Sequence, residues 1–74
     1  MNVREDILNI LSDLGITVND LDMLEQIDSV EFMTLIVTLE DFFGITFQDE
    51  MVLFSVMDTV SKIEIIVNNM LDDI

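Results

Sequence analysis

Ser29, with Asp28 before it and an apolar helical run after it, is the residue in this 74-residue chain best placed to do chemistry. A serine at the mouth of a helix has two readings. It can be an N-cap, the commonest reason for Ser in that place. Its Oγ can instead be a covalent attachment point, because a phosphodiester there would lie over the free backbone N–H groups at the positive end of the helix. The chain contains neither His nor Cys. That excludes a Ser-His-Asp triad, a Cys nucleophile and an imidazole acid or base. A serine hydroxyl without an activating base is a weak nucleophile, and the only amine bases in the chain are Lys62 and the N-terminus. An enzyme built on a Ser29–Lys62 pair has no motif to support it. Asp20, Asp22 and Glu25 suggest a calcium loop, but Leu21, Met23 and Leu24 interrupt them and no central Gly is present, unlike an EF-hand. No metal site is expected.

The elements that must position Ser29 are helical. Asn2 is a plausible N-cap with Glu5 three residues on. Ile7, Leu8, Leu11 and Leu14 follow at helical spacing, and Gly15 is a stop, which predicts a helix over Val3 to Leu14. Gly15 to Asp28 has no sustained period and reads as a long loop with a possible short helical turn. Leu21, Leu24 and Ile27 would pin it to the core. A second helix starts at Ser29 and ends at Gly44, with Phe32, Leu35, Ile36, Leu39 and Phe43 as its buried stripe. Its other face carries Val30, Met33, Thr34, Val37, Glu40 and Asp41, too apolar to be merely solvated. Gln48 or Asp49 caps a short turn through Phe54. Thr59 is the N-cap of a last helix from Val60 to about Leu71, with Val60, Ile63, Val67 and Met70 inside and Ile66 widening the stripe. Met57 and Met70 read as core residues that fill gaps. Ile45 to Phe47 could pass for a strand but has nothing to pair with. The fold class is therefore all-α: a single domain over residues 1–74, with three main helices, one short helix, and a long loop between the first two.

Composition agrees. A domain of this size buries roughly 60% of its unfolded surface and has no disulfide to help it. Packing must suffice, and 51% hydrophobic residues can supply it. Disordered chains combine high charge with low hydrophobicity, whereas this one combines high charge with ten Ile, nine Leu, eight Val, six Met and five Phe. Sixteen acids against Arg4 and Lys62 give a formal charge of −14. Such a chain repels a phosphate backbone and an anionic membrane surface, so no nucleic acid and no membrane insertion are expected. No signal-peptide core follows Met1. A cytoplasmic monomer is the expectation.

The stretch Ile27-Asp28-Ser29-Val30-Glu31-Phe32 resembles the D-S-L motif of acyl carrier and peptidyl carrier proteins. The downstream pattern is similar as well: Leu35, Leu39-Glu40, Phe42-Phe43-Gly44-Ile45, Asp49-Glu50 where the family begins a short third helix, and Thr59-Val60 opening the last helix. The resemblance covers nearly the whole chain. It implies an acyl-carrier-like four-helix bundle, with 4′-phosphopantetheine attached to Ser29 by an external phosphopantetheinyl transferase (holo-carrier synthase) that supplies base and Mg²⁺. Asp28 would help position that site. Cargo would ride as a thioester on the arm's thiol, in fatty-acid, polyketide or peptide biosynthesis. Acyl-loading and acyl-processing enzymes would dock basic patches on Val30, Glu31, Met33, Thr34, Val37, Glu40 and Asp41. The protein itself would not be an enzyme. The start at Met1 and the lack of a linker favour a free-standing carrier. Val30 stands for the usual Leu, Gln26 where many members have Gly, Thr34 where an acid is common, and Gln48 near a common Pro. These departures bear on partners and cargo and leave Ser29 untouched. The rival is a non-catalytic acidic docking or adaptor protein in which Ser29 is only an N-cap.

Charge alone makes one prediction. With −14 on so small a body, self-repulsion opposes the compact state. Sodium chloride is expected to raise the melting temperature by screening over a Debye length of about 10 Å at 0.1 M. A thermal melt across a salt series tests this, and a melting temperature that falls with salt would contradict it.

Overall fold

The structure is a computed structural model that describes residues 2–48 and 54–72. It is mostly helical, with one small antiparallel sheet. In chain order come helix α1 (Val3–Asp13), strands β1 (Thr17–Val18) and β2 (Leu24–Glu25), helix α2 (Ser29–Phe43), a 3-10 turn (Phe54–Val56) and helix α3 (Val60–Asp72). Among the described residues, no helix is long and apolar enough to cross a membrane.

Local signals set the helix ends. The Asn2 side chain accepts the Glu5 amide at 3.0 Å, which is the expected start of α1. At its other end Gly15, in the left-handed region at φ +75°, donates to the Ser12 carbonyl while Ile16 donates to that of Leu11. This pair of bonds is a Schellman motif, and it turns Ile16 back onto the core. Gly44 at φ +67° ends α2, with the Gly44 and Ile45 amides both on the Glu40 carbonyl. Thr59 Oγ1 accepts the Lys62 amide at 3.1 Å and caps α3 as expected.

Leu35, Leu39, Val60, Ile63 and Val67 meet Ile7, Leu11 and Met57 in a fully buried centre. Burying each such side chain stabilises the fold by about 1.5–3 kcal/mol. Two expected core positions differ. Leu8 is exposed, while Val3 and Ile10 take the inward places beside Ile7 and Leu11 on α1. Leu21 is 76% exposed, because it sits at the tip of a turn; Leu24 is buried and Ile27 half-buried. Ile45 and Phe47 are buried without forming a strand. A 3-10 turn covers Phe54–Val56; the short turn expected from Gln48 or Asp49 up to Phe54 falls on residues 49–53, which lie outside the described residues.

The expected loop between α1 and α2 is instead a small hairpin. Thr17 pairs with Glu25 and Val18 with Leu24. Asn19 makes the turn: its side chain accepts the amides of Leu21 at 2.8 Å and Met23 at 3.1 Å. Asn does this readily because its carbonyl stands in for a backbone acceptor. Asp22 then takes the left-handed region at φ +70°. Its carbonyl accepts the Val60 amide at 3.0 Å, and the Leu24 amide reaches the Asp58 carbonyl at 2.9 Å. The hairpin is thus stitched to the start of α3.

The Asp22 carboxylate completes the joint. One oxygen pairs with the Arg4 guanidinium from α1. The other accepts both the amide and the hydroxyl of Ser61 at 2.7 Å. Arg4 also reaches Glu64 at 3.5 Å. Burial penalises ionised Asp22, but the bonds from Ser61 and the Arg4 charge outweigh it and hold this carboxyl below its ordinary range. Because the folded value is lowered, its contribution is complete above about pH 4, the ordinary Asp value. It is lost as pH falls through the lower folded value.

Asp22→Ala is expected to destabilise the fold by about 2–3 kcal/mol, since a residue disfavoured in the left-handed region replaces one that makes several charge-assisted bonds. Urea melts of the wild type and of Asp22→Asn over an acidic pH series check the titration. The wild type should lose its advantage over Asp22→Asn below pH 4, and an advantage that persists there would exclude the ionised carboxylate as its source.

Candidate functional site around Ser29

The backbone at the head of α2 settles which residue is the cap. Asp28 is extended, at φ −96° and ψ 178°, and its Oδ1 accepts the Glu31 amide at 2.7 Å. The Phe32 amide closes the first helical turn on the Asp28 carbonyl at 2.9 Å. Asp28 is therefore the N-cap, and Ser29 is the first residue inside the helix. Ser29 is exposed, and its hydroxyl makes no hydrogen bond among the described residues. The N-cap reading of Ser29 does not hold. Its Oγ is free at the end of a 15-residue helix, where the first amides have no intrahelical acceptor and negative charge is favoured.

The approach to Ser29 carries strain. Gln26 sits at φ +53°, a left-handed conformation that favours Gly. A Gln there costs on the order of 1 kcal/mol. The bend at Gln26 lets the chain leave β2 and bring Asp28 over the end of α2.

Ser29 opens onto a shallow groove lined by Val30, Met33, Thr34, Val37 and Thr38. Val30 is 73% exposed, Met33 50% and Val37 59%. The two threonines add little polarity. Thr34 Oγ1 donates to the Val30 carbonyl at 3.0 Å and Thr38 Oγ1 to that of Thr34 at 2.7 Å. With both hydroxyls bonded to the helix itself, the threonines add methyl surface to the groove. Of the expected partner-facing residues, Val30, Met33, Thr34 and Val37 share this groove with Ser29. Glu31 is half-buried and faces a second, smaller recess with Leu14 and Ile16. Asp41 is exposed outside the groove lining.

Glu40 is placed differently. Its carboxylate accepts the Phe47 amide at 2.8 Å and is half-buried. It fastens the chain that reverses at Gly44 and does not join the apolar groove. Thr38 is the groove residue that sequence reasoning missed. The i, i+4, i+8 spacing of Val30, Thr34 and Thr38 was the available signal. No group of three potential metal ligands occurs among the described residues. Comparisons with protein-family models, curated proteins and solved structures return no match.

The geometry separates the two residues of the Asp28-Ser29 pair. Asp28→Ala should cost about 1 kcal/mol, the usual value of an N-cap. Ser29→Ala should change stability by less than about 0.5 kcal/mol, as for an exposed residue without a partner. Urea denaturation followed by circular dichroism reads both, and the opposite ranking would make Ser29 the cap.

Proposed function

We propose that this chain is a carrier protein that bears 4′-phosphopantetheine on Ser29. The observation that carries the reading is the free, exposed Ser29 hydroxyl on the first turn of α2, left uncommitted because Asp28 does the capping. The serine oxygen would displace adenosine 3′,5′-bisphosphate from coenzyme A and form a phosphodiester. The Oγ proton would pass to a base of the phosphopantetheinyl transferase, since this chain has no His or Cys to take it. The new phosphate would lie over the first amides of α2. The arm's terminal thiol then holds an acyl or aminoacyl cargo as a thioester, chemistry that a chain without Cys cannot do alone.

On this reading the hairpin, the three helices and the 3-10 turn form an acyl-carrier-like bundle of residues 1–74, working as a monomer in the cytoplasm. Val30, Met33, Thr34 and Val37 supply apolar contact for the transferase and for acyl-loading enzymes. Asp41 and Glu31 steer their basic patches, since charge at a rim acts mainly on association rate. Glu40 contributes less to docking than its position in the sequence suggests, because its carboxylate is already engaged with Phe47. The carrier itself catalyses nothing.

The test is an intact mass. The apo protein is incubated with coenzyme A, Mg²⁺ and a promiscuous phosphopantetheinyl transferase. A gain of one phosphopantetheine that disappears in Ser29→Ala is the expected result. No gain with several transferases, or a gain that survives Ser29→Ala, would overturn the proposal.

A further inference from the structure

A second groove lies between α1 and α2, away from Ser29. Its floor is Ile10, Leu14 and Phe42, and its α1 rim carries Asp6 and Asp13. Phe42 is 53% exposed, an unusual place for a large ring. It is nonetheless held in place, edge to face with Phe43, at 4.9 Å between centroids and 75° between planes. Phe43 is buried in the core. The exposed ring is thus a preorganised apolar surface, the kind that anchors a partner without further loss of side-chain entropy.

Among the described residues, the rim acids pair with no cation. The chain's side-chain cations are Arg4 and Lys62. Arg4 is engaged with Asp22 and Glu64. Lys62 pairs with Asp58 at 2.9 Å and donates to the Ser55 carbonyl at 3.2 Å. Neither pairs with Asp6 or Asp13. These two acids stand seven residues apart, two turns or about 10 Å along α1, so they lie on nearly the same face. An apolar floor between two uncompensated carboxylates specifies its complement: an amphipathic segment with an apolar anchor and basic residues about two helical turns apart. A second copy of this chain is a poor occupant, because it brings the same acids and a further −14. An anionic membrane is repelled for the same reason.

We propose that the α1–α2 groove is a docking site for a basic amphipathic helix of a partner protein. Phe42 is the apolar contact, and Asp6 and Asp13 set the register. The two grooves adjoin at Thr38, but Phe42, Asp6 and Asp13 line only this one, so the contact does not depend on whether Ser29 is modified.

The probe is a synthetic helical peptide of Leu, Ala and Lys, roughly 18 residues or five turns long, with Lys residues flanking a Leu stripe. It is titrated into ¹⁵N-labelled full-length protein. The expected result is amide shift changes centred on Asp6, Ile10, Asp13, Leu14 and Phe42. Phe42→Ser should bind about tenfold more weakly, as for an anchor residue, while its amide spectrum shows it still folded at the temperature of the titration. Val30→Ser, on the Ser29 groove, should stay within about twofold of the wild type. Shift changes centred on Val30 to Val37, or spread evenly over the acidic surface, would overturn the proposal. So would a Phe42→Ser variant that binds as tightly as the wild type, or shifts at the same residues caused by self-association of the protein without peptide.

Discussion

The carboxylate of Asp22 joins three parts of the chain that local signals alone would leave separate. Arg4 comes from α1, Ser61 from the first turn of α3, and Asp22 itself from the tip of the hairpin. The same residue's carbonyl takes the Val60 amide. Asp22 also places negative charge at the head of α3, where the helix dipole favours it. Against this stands its left-handed backbone, at a cost on the order of 1 kcal/mol. A charge-assisted hydrogen bond contributes about 1.5–3 kcal/mol, so the bonds outweigh the strain. Once the hairpin is tied down, Leu24 is seated in the core and the chain arrives at Asp28 already aligned with α2.

Scarcity of cations shapes everything outside the core. Both side-chain cations serve internal joints: Arg4 at Asp22 and Lys62 at Asp58 beside the 3-10 turn. Most of the other acids among the described residues are therefore left to solvent or to backbone caps. Asp28 and Glu40 are used as caps, one on the first turn of α2 and one on the chain reversal beyond its end. Because Asp28 takes the capping role, Ser29 keeps a free hydroxyl beside an apolar groove. Capping and exposure thus fall to adjacent residues, which leaves Ser29 accessible to a second protein, as the proposed attachment requires.

Much of this was legible in the sequence. Asn2 with Glu5, Gly15, Gly44 and Thr59 marked helix ends through contacts within four residues, and those ends are where the spacing placed them. The buried stripe of α2 was also readable, since Phe32, Leu35, Ile36, Leu39 and Phe43 fit one helical face. The ambiguities were physical. Leu8 and Ile10 are both apolar, and only the packing of the assembled core decides which turns inward. Asp28 and Ser29 are both good caps, and the backbone entering from Gln26 selects the first. The hairpin was illegible because its anchor is non-local: nothing near Asp22 in sequence announces Ser61, thirty-nine residues away. The backbone bond of Glu40 was hidden for a related reason. Its partner, the Phe47 amide, comes within reach only after Gly44 has reversed the chain.

The chemistry assigned to Ser29 rests on one division of labour, with Asp28 capping and Ser29 free. Phosphorus NMR of the transferase-treated, ¹⁵N-labelled protein tests it most directly. The expected result is a single phosphodiester resonance coupled to the Ser29 β protons, with the Glu31 amide still hydrogen-bonded to Asp28. Phosphorus on Ser12, Ser55 or Ser61, or loss of the Asp28–Glu31 bond when Ser29 is modified, would contradict it.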